Sequence, residues 1–148
     1  MRGLFREICQ MAKPFLDTRS NFIHMQVSKA FALKLLETEH GEEDVVIPAI
    51  ILHDVGWKMI PEALHLQAFG PKAKDLETNR IHELEGARIA LEILKQLKYD
   101  SKLIEEVVEI ISGHDSRKEP LSLNDAIVKD ADKLWRFSKE AIQINPQR

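Results

Sequence analysis

Apolar residues along this chain recur mostly every three or four positions, and no stretch shows the period of two expected of a half-buried strand. Leu4 to Ala12 predicts a short amphipathic helix ended by Pro14. From Asn21 to about Glu39, the residues Ile23, Val27, Ala30, Phe31 and Leu35 have helical spacing, until His40-Gly41 breaks the pattern with Gly41 at the C-terminal cap. The next helix starts in Glu42-Glu43-Asp44, whose charges suit a helix N-terminus, and ends at Gly56. Pro48 is tolerable inside it only in the first turn; further in, it forces a kink.

Trp57 to Gly70 predicts a short helix opened by Pro61, and Gly70-Pro71 with the charged run to Glu77 predicts a loop able to act as a lid. A long helix follows from about Asn79 to Leu97, with Leu84, Ala87, Leu91 and Leu94 on one stripe. Asp100 or Ser101 caps another that runs to Ser112, with Leu103, Val107, Ile110 and Ile111 inward, and Gly113 stops it. Ser122 or Asn124 caps the last, Asp125 to about Ser138, and the end from Asn145 to Arg148 is expected to fray. There are no internal repeats or low-complexity segments. The expected fold is an all-α, single-domain helical bundle over residues 1–148, with its core at about 19–138.

Composition narrows the possible partners. A chain of 148 residues is long enough for one domain that buries most of its unfolded surface. The net charge of −3, from 21 basic and 24 acidic residues, makes nucleic acid unexpected as a main partner. The single cysteine, Cys9, excludes an internal disulfide and a thiolate-rich zinc site. No apolar run approaches the roughly 20 residues that span a bilayer. Arg2, Arg6, Glu7 and Lys13 interrupt any secretory segment, so a soluble, cytoplasmic protein away from membranes is expected.

Several polar residues stand where burial is expected. His53 and Asp54 end the apolar run Val45 to Leu52, and a buried carboxylate costs several kcal/mol unless a partner or a metal compensates it. A divalent cation would satisfy imidazole and carboxylate together. Alternatively, the last turn of that helix projects into water. His24 shares a face with Ser28, Phe31 and Leu35, and is either a hydrogen-bonded core histidine or a ligand. His82 in the first turn of its helix and His114, followed by Asp115 past Gly113, are ligands or surface histidines, the latter suited to a helix C-terminus. Asp132 falls in the apolar stripe of Val128 and Trp135, about 200° from Asp130, so the two do not point at one ion. Lys129, Lys133 and Arg136 form a basic stripe beside it, a solvated face or a phosphate contact.

The order His24, His53-Asp54, Asp132 resembles the HD-domain superfamily of metal-dependent phosphohydrolases. The segments that carry the resemblance are Asn21-Phe22-Ile23-His24, Leu52-His53-Asp54-Val55-Gly56 and Lys129-Asp130-Ala131-Asp132-Lys133-Leu134, spread over about Arg19 to Ser138. The resemblance implies that His24, His53, Asp54 and Asp132 are the core metal ligands. It implies that His82 and His114 bind a second metal, as two intervening histidines do in some members. The implied cofactor is therefore one or two divalent ions per chain, with Mn, Fe, Co, Ni, Zn and Mg undistinguished. The implied chemistry is metal-assisted hydrolysis of a small phosphate ester, a nucleotide or another phosphorylated metabolite.

In that chemistry Asp54 or a neighbouring carboxylate takes a proton from water, and Lys133, Arg19, Lys58 and Arg117 neutralise phosphate charge; Arg19 is equally suited to a plain surface role. The Gly-Tyr-Pro sequence of cyclic-dinucleotide phosphodiesterases is missing around His114, which argues against that activity. The lysine frequent after the pair's glycine is Trp57 here, with Lys58 one place later. Two alternatives remain open: a di-iron oxygenase, for which the six His/Asp ligands also suffice, and a non-catalytic nucleotide-binding or regulatory module with a structural metal. A homodimer is expected on general grounds only.

Overall fold

The structure is a computed structural model that describes residues 2–17, 21–59, 76–135 and 138. It contains six α-helices among these residues: α1 (Arg2–Ala12), α2 (Asn21–Thr38), α3 (Glu43–Leu52), α4 (Leu76–Gln96), α5 (Ser101–Ile111) and α6 (Leu123–Leu134). Short 3₁₀ turns occupy Lys13–Phe15 and Val55–Met59. No strand occurs among the described residues, and the fold is all-α as expected. No described helix is long and apolar enough to cross a membrane. Residues 60–75, which hold the expected Pro61 helix and most of the Gly70-Pro71 lid, lie outside the described residues, as do the chain end and Arg136, whereas Leu76 and Glu77, expected in that loop, begin α4.

Helix α3 is the centre of the molecule. Every residue from Val45 to Leu52 is buried, because α1, α2, α5 and α6 pack around it on all sides. Pro48 is the sixth residue of this helix, well past the first turn. It has no N–H to give the carbonyl of Asp44 one turn earlier. The Tyr99 hydroxyl donates to that carbonyl instead, at 2.7 Å. A proline inside the helix is thus tolerated because a distant phenol satisfies the group it orphans. At the other entrance to α3, the side-chain oxygen of Asn124 accepts the Glu42 N–H at 2.7 Å and ties α6 to α3.

Asp100 is the cap of α5, accepting from the N–H groups of Lys102 and Leu103, and Ser122 caps α6 by accepting from Asp125 N–H. Two expected stripes are rotated. In α2 the buried side chains are Asn21, His24, Met25, Ser28 and Ala32, while Ile23 is exposed. In α4 the buried set runs through His82, Glu83, Gly86, Ala87 and Ala90, and Leu84 is exposed. Both helices turn polar residues inward at the expense of apolar ones. In α5, Ile104 rather than Leu103 is fully inward. Gly41 follows α2 without the left-handed backbone of a glycine cap, since no described glycine has positive φ.

Gly56 sets the approach of α4 to the end of α3. A Cβ there would lie 2.0 Å from the His82 carbonyl oxygen and 2.7 Å from the Gly86 nitrogen. Only hydrogen at this position lets the turn Val55–Met59 lie directly on the backbone of α4. That contact brings His82 beside His53-Asp54.

Candidate metal centre

The site is built where the C-terminal end of α3, the middle of α2, the described N-terminal part of α4, the turn after α5 and the last turns of α6 meet. His53 and Asp54 leave α3 just past its last residue, so their side chains project from the end of an apolar helix into the bundle. The His53 Nδ1–H donates to the Ile50 carbonyl at 2.6 Å, and the His114 Nδ1–H donates to the Ile111 carbonyl at 2.8 Å. Each bond fixes the tautomer that turns the Nε2 lone pair toward the site, the usual support of a metal-binding imidazole.

Two groups of donors result, His24 with His53 and Asp132, and His82 with His114 and Asp54. In the first, His24 Nε2 lies 2.9 Å from Asp132 Oδ1 and 3.3 Å from His53 Nε2. In the second, His82 Nε2 lies 3.2 Å from His114 Nε2. Asp54 joins them. Its Oδ2 is 3.2 Å from His24 and 3.1 Å from His53, whereas its Oδ1 is 3.8 Å from both His82 and His114. Ring nitrogens that face each other this closely either share a hydrogen, one N–H donating to the other's lone pair, or bind a metal between them. Mixed imidazole and carboxylate donors at this spacing fit divalent transition-metal ions. All six residues expected as ligands are brought together, and Asp130 is exposed, away from the groups.

The surroundings hold the rings in place. Trp57 stacks on His82 with centroids 4.0 Å apart, and Trp135 meets His24 edge-on at 4.8 Å. Glu83, fully buried beside His82, accepts the backbone N–H groups of Asp115 and Ser116, both at 2.8 Å. Arg80 bonds Glu83 and the Ser112 carbonyl. From the other side, Lys129 donates to the carbonyls of His114 and Arg117. The turn that carries His114 is thereby clamped between α4 and α6.

A cavity of about 350 Å³ adjoins both groups and is lined by His114, Asp115 and Asp132 together with Lys118, Lys129 and Lys133. Among the described residues, the Lys133 ammonium makes no hydrogen bond or ion pair, while its backbone carbonyl accepts the Trp135 N–H. Arg117 also lines the cavity, but its guanidinium pairs with the buried Asp125 at 3.0 Å and bonds the Glu109 carbonyl at 2.9 Å. Lys58 pairs with Asp17 at 2.7 Å and is not a lining residue. Arg19 lies outside the described residues. Sequence reasoning missed Glu83, Asp115 and Lys118. For Asp115 a signal was present, since His114-Asp115 repeats the His53-Asp54 pair.

Charge in this cluster is strongly coupled. Burial disfavours the charged form of His53, but Asp54 and Asp132 outweigh it and hold the imidazole well above its ordinary range. Burial acts likewise on His114, yet Asp115 and Asp54 push it up to about 9. Burial would raise Asp54, Asp132 and Asp115, but the histidines hold all three below the usual carboxylate range. Raised imidazoles stabilise the fold fully below their ordinary value of 6.5, and that contribution is lost as pH rises through about 9 for His114. The lowered carboxylates contribute above their ordinary 3.8 and lose that contribution as pH falls further.

The metal-free protein is therefore expected to melt at its highest temperature between those two ordinary values and to lose stability toward pH 9. Added divalent metal should reverse the alkaline loss, because imidazole binds metal only when deprotonated. Thermal melts with chelator and with metal check this; a flat profile from neutral to alkaline pH in chelator would refute it.

No curated protein and no solved structure matches the chain. The family model of the HD domain matches residues 21–136, which include every residue of both donor groups. That family consists mostly of metal-dependent phosphohydrolases. The chain belongs to the HD-domain family.

Proposed function

We propose that this protein is a metal-dependent phosphohydrolase acting on a small phosphate ester, a nucleotide or another phosphorylated metabolite. The observation that carries this reading is the pair of His/Asp groups joined by Asp54 and opening on a lysine-lined cavity. His24, His53 and Asp132 would hold one ion, His82 and His114 a second, with Asp54 offering one oxygen to each. Such ions supply Lewis-acid stabilisation of a phosphoryl oxygen and lower the pKa of a bound water.

The chain's own residues do the rest. The backbone carbonyls of Ile50 and Ile111 keep His53 and His114 in the ligating tautomer, and the two tryptophans fix His82 and His24. Lys133, exposed beside Asp132, is the cation we assign to the substrate phosphate, with Lys118 lining the same cavity. Lys129 keeps a positive charge at the same wall while bonding two carbonyls. The charge of Arg117 is shared with Asp125, and that of Lys58 with Asp17, which makes both weaker phosphate contacts.

The test is a phosphate-release screen on metal-loaded protein, with elemental analysis of the same sample. Lys133→Ala is expected to lower kcat/KM by about ten- to hundredfold, the effect of one charge-assisted hydrogen bond to phosphate, without changing metal content or melting temperature. Unchanged kinetics would remove Lys133 from the site. Retained iron with oxygen uptake and no phosphate release would replace the hydrolase reading with the oxygenase one.

A further inference from the structure

The second His-Asp pair repeats the geometry of the first. His53 donates through Nδ1 to the carbonyl three residues earlier, and so does His114. Asp54 Oδ2 lies 3.1 Å from the Nε2 of its neighbour His53 and 3.2 Å from His24 on another helix. Asp115 Oδ2 lies 3.5 Å from the Nε2 of its neighbour His114 and 3.1 Å from His82 on another helix.

We propose that Asp115 is a further metal ligand and completes a second half-site with the same donors as the first. This rests on the two-metal reading above. Each half-site then has two imidazoles and one carboxylate of its own, Asp132 in the first and Asp115 in the second, and the two share Asp54.

Three observations support the assignment beyond proximity. Without Asp115, the carboxylate contacts of the second group among the described residues are the 3.8 Å approaches of Asp54 Oδ1, longer than those in the first group. Asp115 does not point at the site by accident of a loose loop: Glu83 holds its N–H at 2.8 Å, Lys129 holds the preceding carbonyl, and Arg80 holds the Ser112 carbonyl. Glu83 is thus a positioning residue, fully buried, whose only described partners are Arg80 and this turn. Finally, the Asp115 side chain is 33% exposed and lines the cavity, like that of Asp132 at 30%. Both half-sites therefore present one solvent-facing carboxylate to the same space.

The experiment is titration of metal-free protein with Mn²⁺ by calorimetry, with electron paramagnetic resonance of the loaded samples. Wild type is expected to take up two ions and to show a spin-coupled pair. Asp115→Asn should bind the first ion with wild-type affinity and the second at least about tenfold more weakly, with loss of the coupled signal. The retained first ion and an unchanged far-ultraviolet circular dichroism spectrum show that the fold is intact, and Asp115→Ala should reproduce the selective loss. If both ions bind Asp115→Asn with wild-type affinity, Asp115 is no ligand and the hydrolase reading stands without it. Loss of both ions in the variants also overturns the proposal, because the effect then lies in the turn and not in one half-site. A wild type that takes up no Mn²⁺ overturns this proposal together with the metal reading beneath it.

Discussion

Asp54→Ala is expected to empty both metal positions at once and to lower kcat/KM by at least about 10³-fold, since without metal no water of near-neutral pKa is formed. No other single substitution should do both. His24, His53 and Asp132 face one group and His82 and His114 the other, whereas Asp54 divides its two oxygens between them. Asp132→Ala should in contrast weaken chiefly the first position and His82→Ala chiefly the second. Elemental analysis of the three variants, with melts in metal and in chelator, tests the bridging role. Two ions retained by Asp54→Ala would sink it. The melts also address a purely structural metal. If activity and metal-dependent melting temperature fell in proportion in all three variants, a structural role would be favoured; activity lost from a protein that still melts as wild type argues for chemistry.

Gly56→Ala is expected to cost about 3 kcal/mol or more, at the upper end of overpacking effects, and to lower the melting temperature by roughly 10 °C. The added methyl would meet backbone atoms, the His82 carbonyl oxygen at 2.0 Å and the Gly86 nitrogen at 2.7 Å, and backbone cannot rotate out of the way as a flexible side chain can. The only relief is to lift α4 off the turn Val55–Met59. Because His82 is carried on that face of α4, the same shift draws its imidazole from His114 and Asp54. Metal content should therefore fall at the second position while the first, on α2, α3 and α6, is affected less. Differential scanning calorimetry and metal titration of the one variant read both effects. A melting temperature within a degree or two of wild type would show that the close approach is not required. Gly86→Ala offers a comparison. Its Cβ would come no nearer than 3.3 Å, to an Ile111 methyl that can give way, and a much smaller loss is expected.

Much of the site was legible along the chain because its residues contradict their surroundings. His53-Asp54 ends a run in which every neighbour is buried, and Asp132 interrupts the stripe of Val128 and Trp135; both are where a helix places a side chain inward. The preference for Asp132 over Asp130 followed from its place in the apolar stripe and from the family resemblance, and Asp130 is exposed. The same periodicity misjudged α2 and α4, where Ile23 and Leu84 were expected to be buried with the stripe. Apolar spacing assumes that burial selects apolar residues. Here His24, His82 and Glu83 take inward positions because partners elsewhere compensate them.

By itself, then, the sequence determined the all-α class, the approximate helix bounds, the capping at Asp100 or Ser101 and at Ser122 or Asn124, and, through the family resemblance, the candidate ligands. Apart from the ligand set, which rests on the order of motifs along the chain, these depend on residues within a turn or two of one another. Tertiary structure alone decided which residues meet. His24 and Asp132 stand 108 positions apart and touch at 2.9 Å. The Tyr99 hydroxyl rescues the carbonyl that Pro48 orphans from 55 positions from Asp44, and Glu83 holds the turn of Asp115 from 32 positions away. Such bonds have no period and no local propensity. They exist because α3 is surrounded on all sides, and the helices that bury it bring their polar residues to its one polar end.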